Sequence, residues 1–240
     1  MDISPAWPDG ELLGFDLETT GVDPTTDRPV SFALVTVRGG VVVRRETAVV
    51  DPGRVIPAAA TAVHGITTEV ARREGMPRAD AVDLMADSLV EAGRRGVPVV
   101  GMKLDFDLTM LDVQCRSTSG AGLAERGWTG PVLDGLVLDR RYDRYRKGRR
   151  TLGALCAHYA VPAEHAHDAA CDAEAAIGVL RAMCMRFPEL GETPPGELHW
   201  AQVEWHREWA ESFDRWRRDQ NLTPLHPREF RWPIGLAGAA

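Results

Sequence analysis

The sequence predicts an α/β protein in which helices pack on a mixed sheet, and three observations lead there. Apolar, β-branched runs over 11–18, 30–37 and 41–50 have the length and composition of strands. Shorter apolar runs over 97–101 and 131–138 alternate with stretches of helical spacing over 79–94, 105–116, 152–159 and 168–186. Gly39-Gly40 joins the second and third runs by a tight turn, so the sheet opens as an antiparallel meander. Alternation of this kind argues for helices layered on a sheet.

The first run carries the chemistry. Apolar residues lead into Asp16 and Glu18, and Thr19-Thr20-Gly21 breaks the strand. Side chains alternate along a strand, so Asp16 and Glu18 share a face with Cα atoms about 6.6 Å apart. Two carboxylates on one face of a buried strand repel each other and lose hydration, which calls for a cation or for raised pKa values. Carboxylate oxygens suit Mg²⁺ or Mn²⁺. The plainer alternative is a solvated edge strand with two ordinary acids, and Asp-x-Glu alone is a weak signal.

Residues 51–78 hold Pro52, Gly53, Pro57 and Pro77 around Val63-His64-Gly65-Ile66-Thr67. Val82, Met85, Ala86 and Leu89 give the next segment its helical face, and Phe106, Met110, Leu111 and Val113 do so for 105–116. Pro131–Leu138 reads as a buried strand. Past Pro188 the composition changes: Gly191-Glu-Thr-Pro-Pro-Gly196 is a linker, and five of the seven tryptophans lie beyond it. The expected division is a domain over 1–188 and a helical extension over 189–240. Trp205, Trp209, Phe213 and Trp216 form an aromatic stripe, expected to dock on the domain as core. A homodimer interface is the second expectation for the stripe, and base stacking the third.

Composition narrows the class. The 240 residues are 44% apolar and 26% charged, as in ordinary globular proteins, and the net charge of −7 argues against binding polyanions by overall charge. Cys115, Cys156, Cys171 and Cys184 form no C-x-x-C pair and read as free thiols of a reducing compartment. No basic-then-apolar leader and no apolar run of about 20 residues is present, so the expectation is a cytoplasmic protein without a membrane partner.

Two further segments bear acids. In Lys103-Leu-Asp-Phe-Asp-Leu-Thr-Met-Leu111, Asp105 and Asp107 compete on spacing alone for the end of the strand at 97–101. In His167-Asp-Ala-Ala-Cys-Asp172, small residues allow a helix to approach the sheet closely. Asp168 and Asp172 share a face of that helix, with Asp168 also readable as an N-terminal helix acid. His167 converges with Asp172 only if it precedes the first turn, since five residues span about 140°.

Phe15-Asp16-x-Glu18-Thr19-Thr20-Gly21, Phe106-Asp107-x-x-x-Leu111 and His167-x-Ala169-x-x-Asp172 resemble the three motifs of the DEDDh 3′–5′ exonucleases. The resemblance covers roughly residues 10–185. Within that family it is to the proofreading epsilon subunit of bacterial DNA polymerase III. It implies an RNase H-like fold with a five-stranded mixed sheet flanked by helices. It also implies a phosphodiester hydrolase that releases nucleoside monophosphates from single-stranded 3′ ends of DNA or RNA. Asp16, Glu18, Asp107 and Asp172 would hold two Mg²⁺ or Mn²⁺ ions, Asp107 being chosen over Asp105 because Phe precedes it, and His167 would be the general base. Thr19, Thr20, Gly21, His64 and Phe106 would contact the terminal nucleotide, with His64 equally readable as a turn histidine. Family members carry His-Asn-Ala ahead of Phe-Asp, where this chain has Met102-Lys103-Leu104-Asp105. That departure sustains an alternative, a catalytically weak or inactive nucleic-acid-binding module or polymerase-associated subunit of the same fold. Seven basic residues occur among positions 140–150, and Arg144, Arg146, Lys147 and Arg149 are the expected strand-gripping set, against a merely solvated loop. The extension is the expected contact for a polymerase or repair partner.

Overall fold

The computed structural model describes residues 7–162 and 168–236. Strands β1 (Glu11–Thr19), β2 (Pro29–Arg38) and β3 (Val41–Asp51) form the antiparallel meander, and Gly39 and Gly40 take the positive φ values, 60° and 78°, that the hairpin turn demands. Two short helices, α1 (Ala58–His64) and α2 (Thr68–Glu74), follow and lead into β4 (Met76–Pro77). Helix α3 (Arg78–Arg94) precedes β5 (Val99–Gly101), and α4 (Leu104–Ser119) precedes β6 (Val132–Asp134). Helices α5 (Gly135–Tyr142), α6 (Leu152–Tyr159), α7 (Ala169–Arg186), α8 (Pro188–Glu192) and α9 (Pro195–Asp219) complete the described chain. The sheet order is β4-β3-β2-β1-β5-β6, with β5 and β6 parallel to β1.

The α/β prediction holds, with six strands where five were expected. The addition is the two-residue β4, parallel to β3. Gly75 permits it: a Cβ there would lie 2.5 Å from the Asp51 nitrogen and 2.2 Å from the Ala71 carbonyl oxygen. The expected strand over 131–138 is a strand only to Asp134. There the Asp134 carboxylate accepts the Leu136 N–H at 2.8 Å and caps α5, so Leu136, Val137 and Leu138 are buried from a helix. The 51–78 stretch hides α1 and α2, the latter capped by Thr67.

Period-two alternation sorts β1 between two layers. Leu13, Phe15 and Leu17 pack with Met85, Leu89, Leu104 and Leu108 of α3 and α4. Leu12 packs on the other face with Ala173, Ile177 and Leu180 of α7. Gly14 lies on that second face, where a Cβ would come within 3.1 Å of the Ala173 carbonyl oxygen. A glycine facing an alanine is what lets α7 lie close to the central strand, on the face that also carries Asp16 and Glu18.

Helix α9 docks on the sheet edge, but through a different face from the one expected. Its buried ridge is Leu198, Gln202, His206, Ala210 and Asp214, at i, i+4 spacing. Trp205, Trp209 and Phe213 flank this ridge half-buried, and Trp216 remains 50% exposed. Polar residues win the inner face because β6 is an edge strand with unpaired backbone groups. Gln202 accepts the Asp134 N–H at 2.8 Å and donates to the Val132 carbonyl oxygen at 2.9 Å, while His199 Nδ1 accepts the Val132 N–H at 3.2 Å. The helix thus serves β6 as a seventh strand would. No helix among the described residues is long and apolar enough to cross a membrane, and the four cysteines are free thiols.

Gln202→Ala orphans two buried backbone groups of β6 and should cost about 1–3 kcal/mol for each partner lost. Urea denaturation followed by circular dichroism checks this, and an unchanged midpoint would refute the role of α9 in completing the sheet edge.

Candidate active site

The crevice is a product of strand lengths. Strand β5 pairs with β1 only at Leu13 and Gly14, then ends at Gly101, so β1 runs on past its neighbour. Gly101 allows the departure, since a Cβ there would lie 2.8 Å from the Phe15 carbonyl oxygen. Asp16 and Glu18 stand on the overhang, at the carboxyl ends of β1 and β5, where open α/β sheets bind ligands. Helix α7 supplies Asp172 from its first turn. One carboxylate oxygen from each of Asp16, Glu18 and Asp172 lies within 4.8 Å of the others.

Asp107, 5% exposed on the first turn of α4, stands outside that trio yet is the strongest charge acting on Asp16. Burial, then Asp107, Asp172 and Glu18, push the Asp16 carboxyl well above the usual carboxylate range. Burial and the charges of Asp172 and Asp168 raise Glu18 to about 7. Burial and Asp105 raise Asp107. Asp105 faces another way: burial and Asp134 raise it to about 7, with Lys103 and Arg140 opposing. Asp16, Glu18 and Asp107, all driven toward protonation, and Asp172 beside them bring oxygen donors from three separate elements. Such a set suits a hard divalent cation, whose charge would favour the ionised forms. Asp168 caps α7 by accepting the Ala170 and Cys171 N–H groups, each at 3.0 Å. His167 lies outside the described residues.

The other expected contacts divide. Thr19 Oγ1 donates to the Gly21 carbonyl oxygen at 2.7 Å. Thr20, 2% exposed, donates to Asp27 at 2.8 Å and accepts the Arg28 N–H, and Gly21 is packed so closely on Asp27 that a Cβ would fall 2.5 Å from its carboxylate. Thr20 and Gly21 therefore shape the turn after β1. His64 Nδ1 accepts the Ile66 N–H at 3.1 Å in the turn after α1. Phe106 is half-buried, with the Lys103 ammonium 5.5 Å from its ring centroid.

Arg146 must be withdrawn from the strand-gripping set. Its side chain is 6% exposed and its Nε donates to the fully buried Asp139 at 3.0 and 3.1 Å, beside the Arg150–Asp139 pair and the Tyr159 hydroxyl. A buried carboxylate needs such compensation, and these two arginines supply it. Arg144, Lys147 and Arg149 are exposed.

Asp134 is the residue that sequence reasoning missed. Fully buried, it accepts the Lys103 and Leu104 N–H groups at 3.0 and 2.9 Å, besides capping α5. Lys103 adopts φ 65°, a conformation costly for a side chain with a Cβ, and Asp134 holds it there. The start of α4, and so Asp107, is set by this carboxylate. Asp-Gly at the end of an apolar run, followed by Leu-Val-Leu-Asp-Arg-Arg, was the helix-start signal available.

A family profile described as an exonuclease matches residues 13–180. The chain belongs to this exonuclease family. The PolC-type DNA polymerase III of Lacticaseibacillus paracasei is 30% identical over 173 residues, 72% of this chain and 11% of that protein. A DNA polymerase III subunit epsilon-like protein of Rhodobacter capsulatus is 36% identical over 133 residues, 52% of this chain and 16% of that protein. Among solved structures, exonuclease I of Methylocaldum szegediense superposes with TM-score 0.61 at 25% identity, covering 76% of this chain and 42% of that one. E. coli exonuclease I in complex with a dA16 oligonucleotide gives TM-score 0.65 at 21% identity, covering 82% and 44%. The chain thus spans less than half of each of these solved structures and a small fraction of the polymerases. Divalent-metal dependence belongs to the family, and this chain carries an acidic cluster that could hold such an ion.

In chelator, the raised carboxyls stay protonated in the native protein at pH values where an unfolded chain ionises them. The native state then binds the more protons, so this contribution to stability falls as pH rises from about 4.5 through about 7. Glu18→Gln should therefore melt above wild type at pH 8 in chelator, with the gap closing at pH 5. Equal melting temperatures at pH 8 would contradict the electrostatic picture.

Arg146→Ser should lower the melting temperature by several degrees, because it strips a buried acid of a partner. Lys147→Ser and Arg149→Ser should leave it within about a degree, as exposed substitutions do. Parallel melts of the three variants decide.

Proposed function

We propose that this protein is a divalent-metal-dependent 3′–5′ exonuclease acting on single-stranded ends of DNA, RNA or both and releasing nucleoside monophosphates. The observation that carries the reading is the convergence of Asp16, Glu18 and Asp172 at the end of the central strand, with Asp107 beside them, in a chain of the exonuclease family. The relatives agree in kind: one is an exonuclease I solved with a dA16 oligonucleotide, another an epsilon-like polymerase subunit.

The residues divide the work as follows. Asp16, Glu18, Asp107 and Asp172 would hold two Mg²⁺ or Mn²⁺ ions. Metal bound there would supply positive charge to offset the charge that develops on the phosphate during hydrolysis. Asp107 is buried and the other three carboxylates are half-buried, so charges among them are less screened than on an open surface. His167, immediately before the α7 cap in sequence, takes a proton from the attacking water as general base. Phe106 and the Thr19–Gly21 turn border the same strand end and orient the terminal nucleotide. A polymerase or repair assembly is the proposed setting, consistent with the polymerase relatives.

The test is incubation of a 5′-labelled single strand with Mn²⁺ or Mg²⁺. A ladder shortening from the 3′ end one nucleotide at a time is expected, and chelator should abolish it. Asp16→Ala should reduce the rate by about 10³-fold or more, in keeping with loss of a charge-stabilising group. Activity within a few-fold of wild type in both Asp16→Ala and Asp107→Ala would sink the metal-site assignment, and His167→Ala should cost roughly 10²–10⁴.

A further inference from the structure

The basic segment and the aromatic stripe, far apart in sequence, meet along one groove between α5 and α9. The groove has a volume of about 500 Å³, and its walls include Arg140, Arg141 and Arg144 on one side and Trp205, Trp209 and Phe213 on the other. The Arg140 guanidinium lies 3.4 Å from the Trp209 ring centroid, and that of Arg141 lies 5.1 Å from Trp205. Along α9 the rings stack on one another. Trp209 and Phe213 are 5.2 Å apart at 19°, and Phe213 and Trp216 are 5.5 Å apart at 10°. This ladder ends on Trp216, 50% exposed.

Two smaller cavities adjoin the groove. A smaller cavity shares Arg140, His206 and Trp209 with it and is closed at its other end by Lys103 and Asp105. A third shares Lys103 and Asp105 and reaches Phe106, next to Asp107, and Val22, just past the β1 turn. The cavities adjoin one another on the same side of the molecule, between the aromatic groove and Phe106 beside Asp107. His206, 4% exposed on its floor, holds the Glu229 carbonyl oxygen at 2.9 Å through Nε2, which leaves Nδ1 a buried acceptor with no partner among the described residues.

Charge selects the occupant. Four guanidinium groups line the groove against the single carboxylate of Glu208, in a protein whose net charge is −7. Stacked rings bordered by guanidinium groups suit a polymer with a phosphate at every step and a flat base beside it. A protein helix would meet the rings but leave the arginines unmatched. We infer that this groove holds the part of a single nucleic-acid strand lying 5′ of the bound 3′ end, with phosphates toward Arg141 and Arg144 and bases on the ladder ending at Trp216. The inference rests on the exonuclease reading of the crevice and adds to it a second, sequence-tolerant grip on the substrate.

Binding measured in chelator separates grip from cleavage. Fluorescence polarisation of 5′-labelled dT4 and dT16 on the full chain should show dT16 binding at least about 10-fold tighter, the effect of one or two stacked bases. The gain should shrink with added salt. Arg141→Ser with Trp216→Ser changes two exposed residues and should bring dT16 down to the affinity of dT4, with circular dichroism showing an intact fold. Should that variant fail to fold, quenching of wild-type tryptophan fluorescence by dT16 but not by dT4 reads the same contact. A wild type that binds both strands alike, or a variant that keeps the full gain, overturns the inference. So does light scattering that shows a wild-type dimer lost in the variant, since the ladder would then face a second copy. Adding Mn²⁺ distinguishes the two readings. Trimming of both strands without a length-dependent gain defeats the groove alone. A length-dependent gain with neither strand trimmed defeats the exonuclease reading and leaves the groove as a strand-binding site.

Discussion

Repulsion among half-buried carboxylates is the constraint around which this protein is arranged. Asp16 and Glu18 are forced onto one face by the pleat of β1, and α7 brings Asp172 within 4.8 Å of both. Asp16 and Glu18 are driven toward protonation by burial and by their neighbours, Asp172 among them. A fold tolerates such a cluster only where the surrounding structure is rigid enough to hold it. Gly14, against Ala173, lets the helix approach, and the early end of β5 opens the space the acids face. Stability is given up at the one place where a dication would return it.

The fourth acid depends on a longer chain of contacts. Asp107 sits where α4 begins, and α4 begins where Asp134 receives the N–H groups of Lys103 and Leu104. Asp134 in turn has its own N–H taken by Gln202 of α9, and Trp232 Nε1 stands 3.4 Å from its carboxylate. Hydrogen bonds of this kind compensate the burial of a charged group. The C-terminal helix is therefore tied through the edge strand to the start of α4, and so to Asp107.

The basic segment carries two jobs that its composition does not separate. Arg146 and Arg150 neutralise the buried Asp139 and so fix the loop after α5. Arg140, Arg141 and Arg144 turn toward the aromatic residues of α9. Guanidinium groups serve both ends because they pair with carboxylates in a fork and also lie flat on rings.

Much of this was legible in the residues. The meander, the helices over 79–94, 105–116, 152–159 and 168–186, and the shared face of Asp16 and Glu18 follow from local periodicity, whereas Asp107 and Asp172 were singled out by resemblance to the exonuclease family's motifs. The short helices after Pro57, the end of β6 at Asp134, the buried side of α9 and the fate of Arg146 were not. Each is decided by a partner that periodicity does not reveal: Asp134 by α4 and Gln202, the α9 ridge by the open edge of β6, Arg146 by Asp139. A stripe of four aromatic residues announces an amphipathic helix, but not that unpaired backbone groups on a strand about 70 residues earlier will claim its polar neighbours first. The sequence by itself determined which residues could do chemistry, because strand and helix periods place them. Only the tertiary structure decided which polar groups were free to do it, because an unsatisfied buried donor or acceptor takes whatever partner the fold brings near.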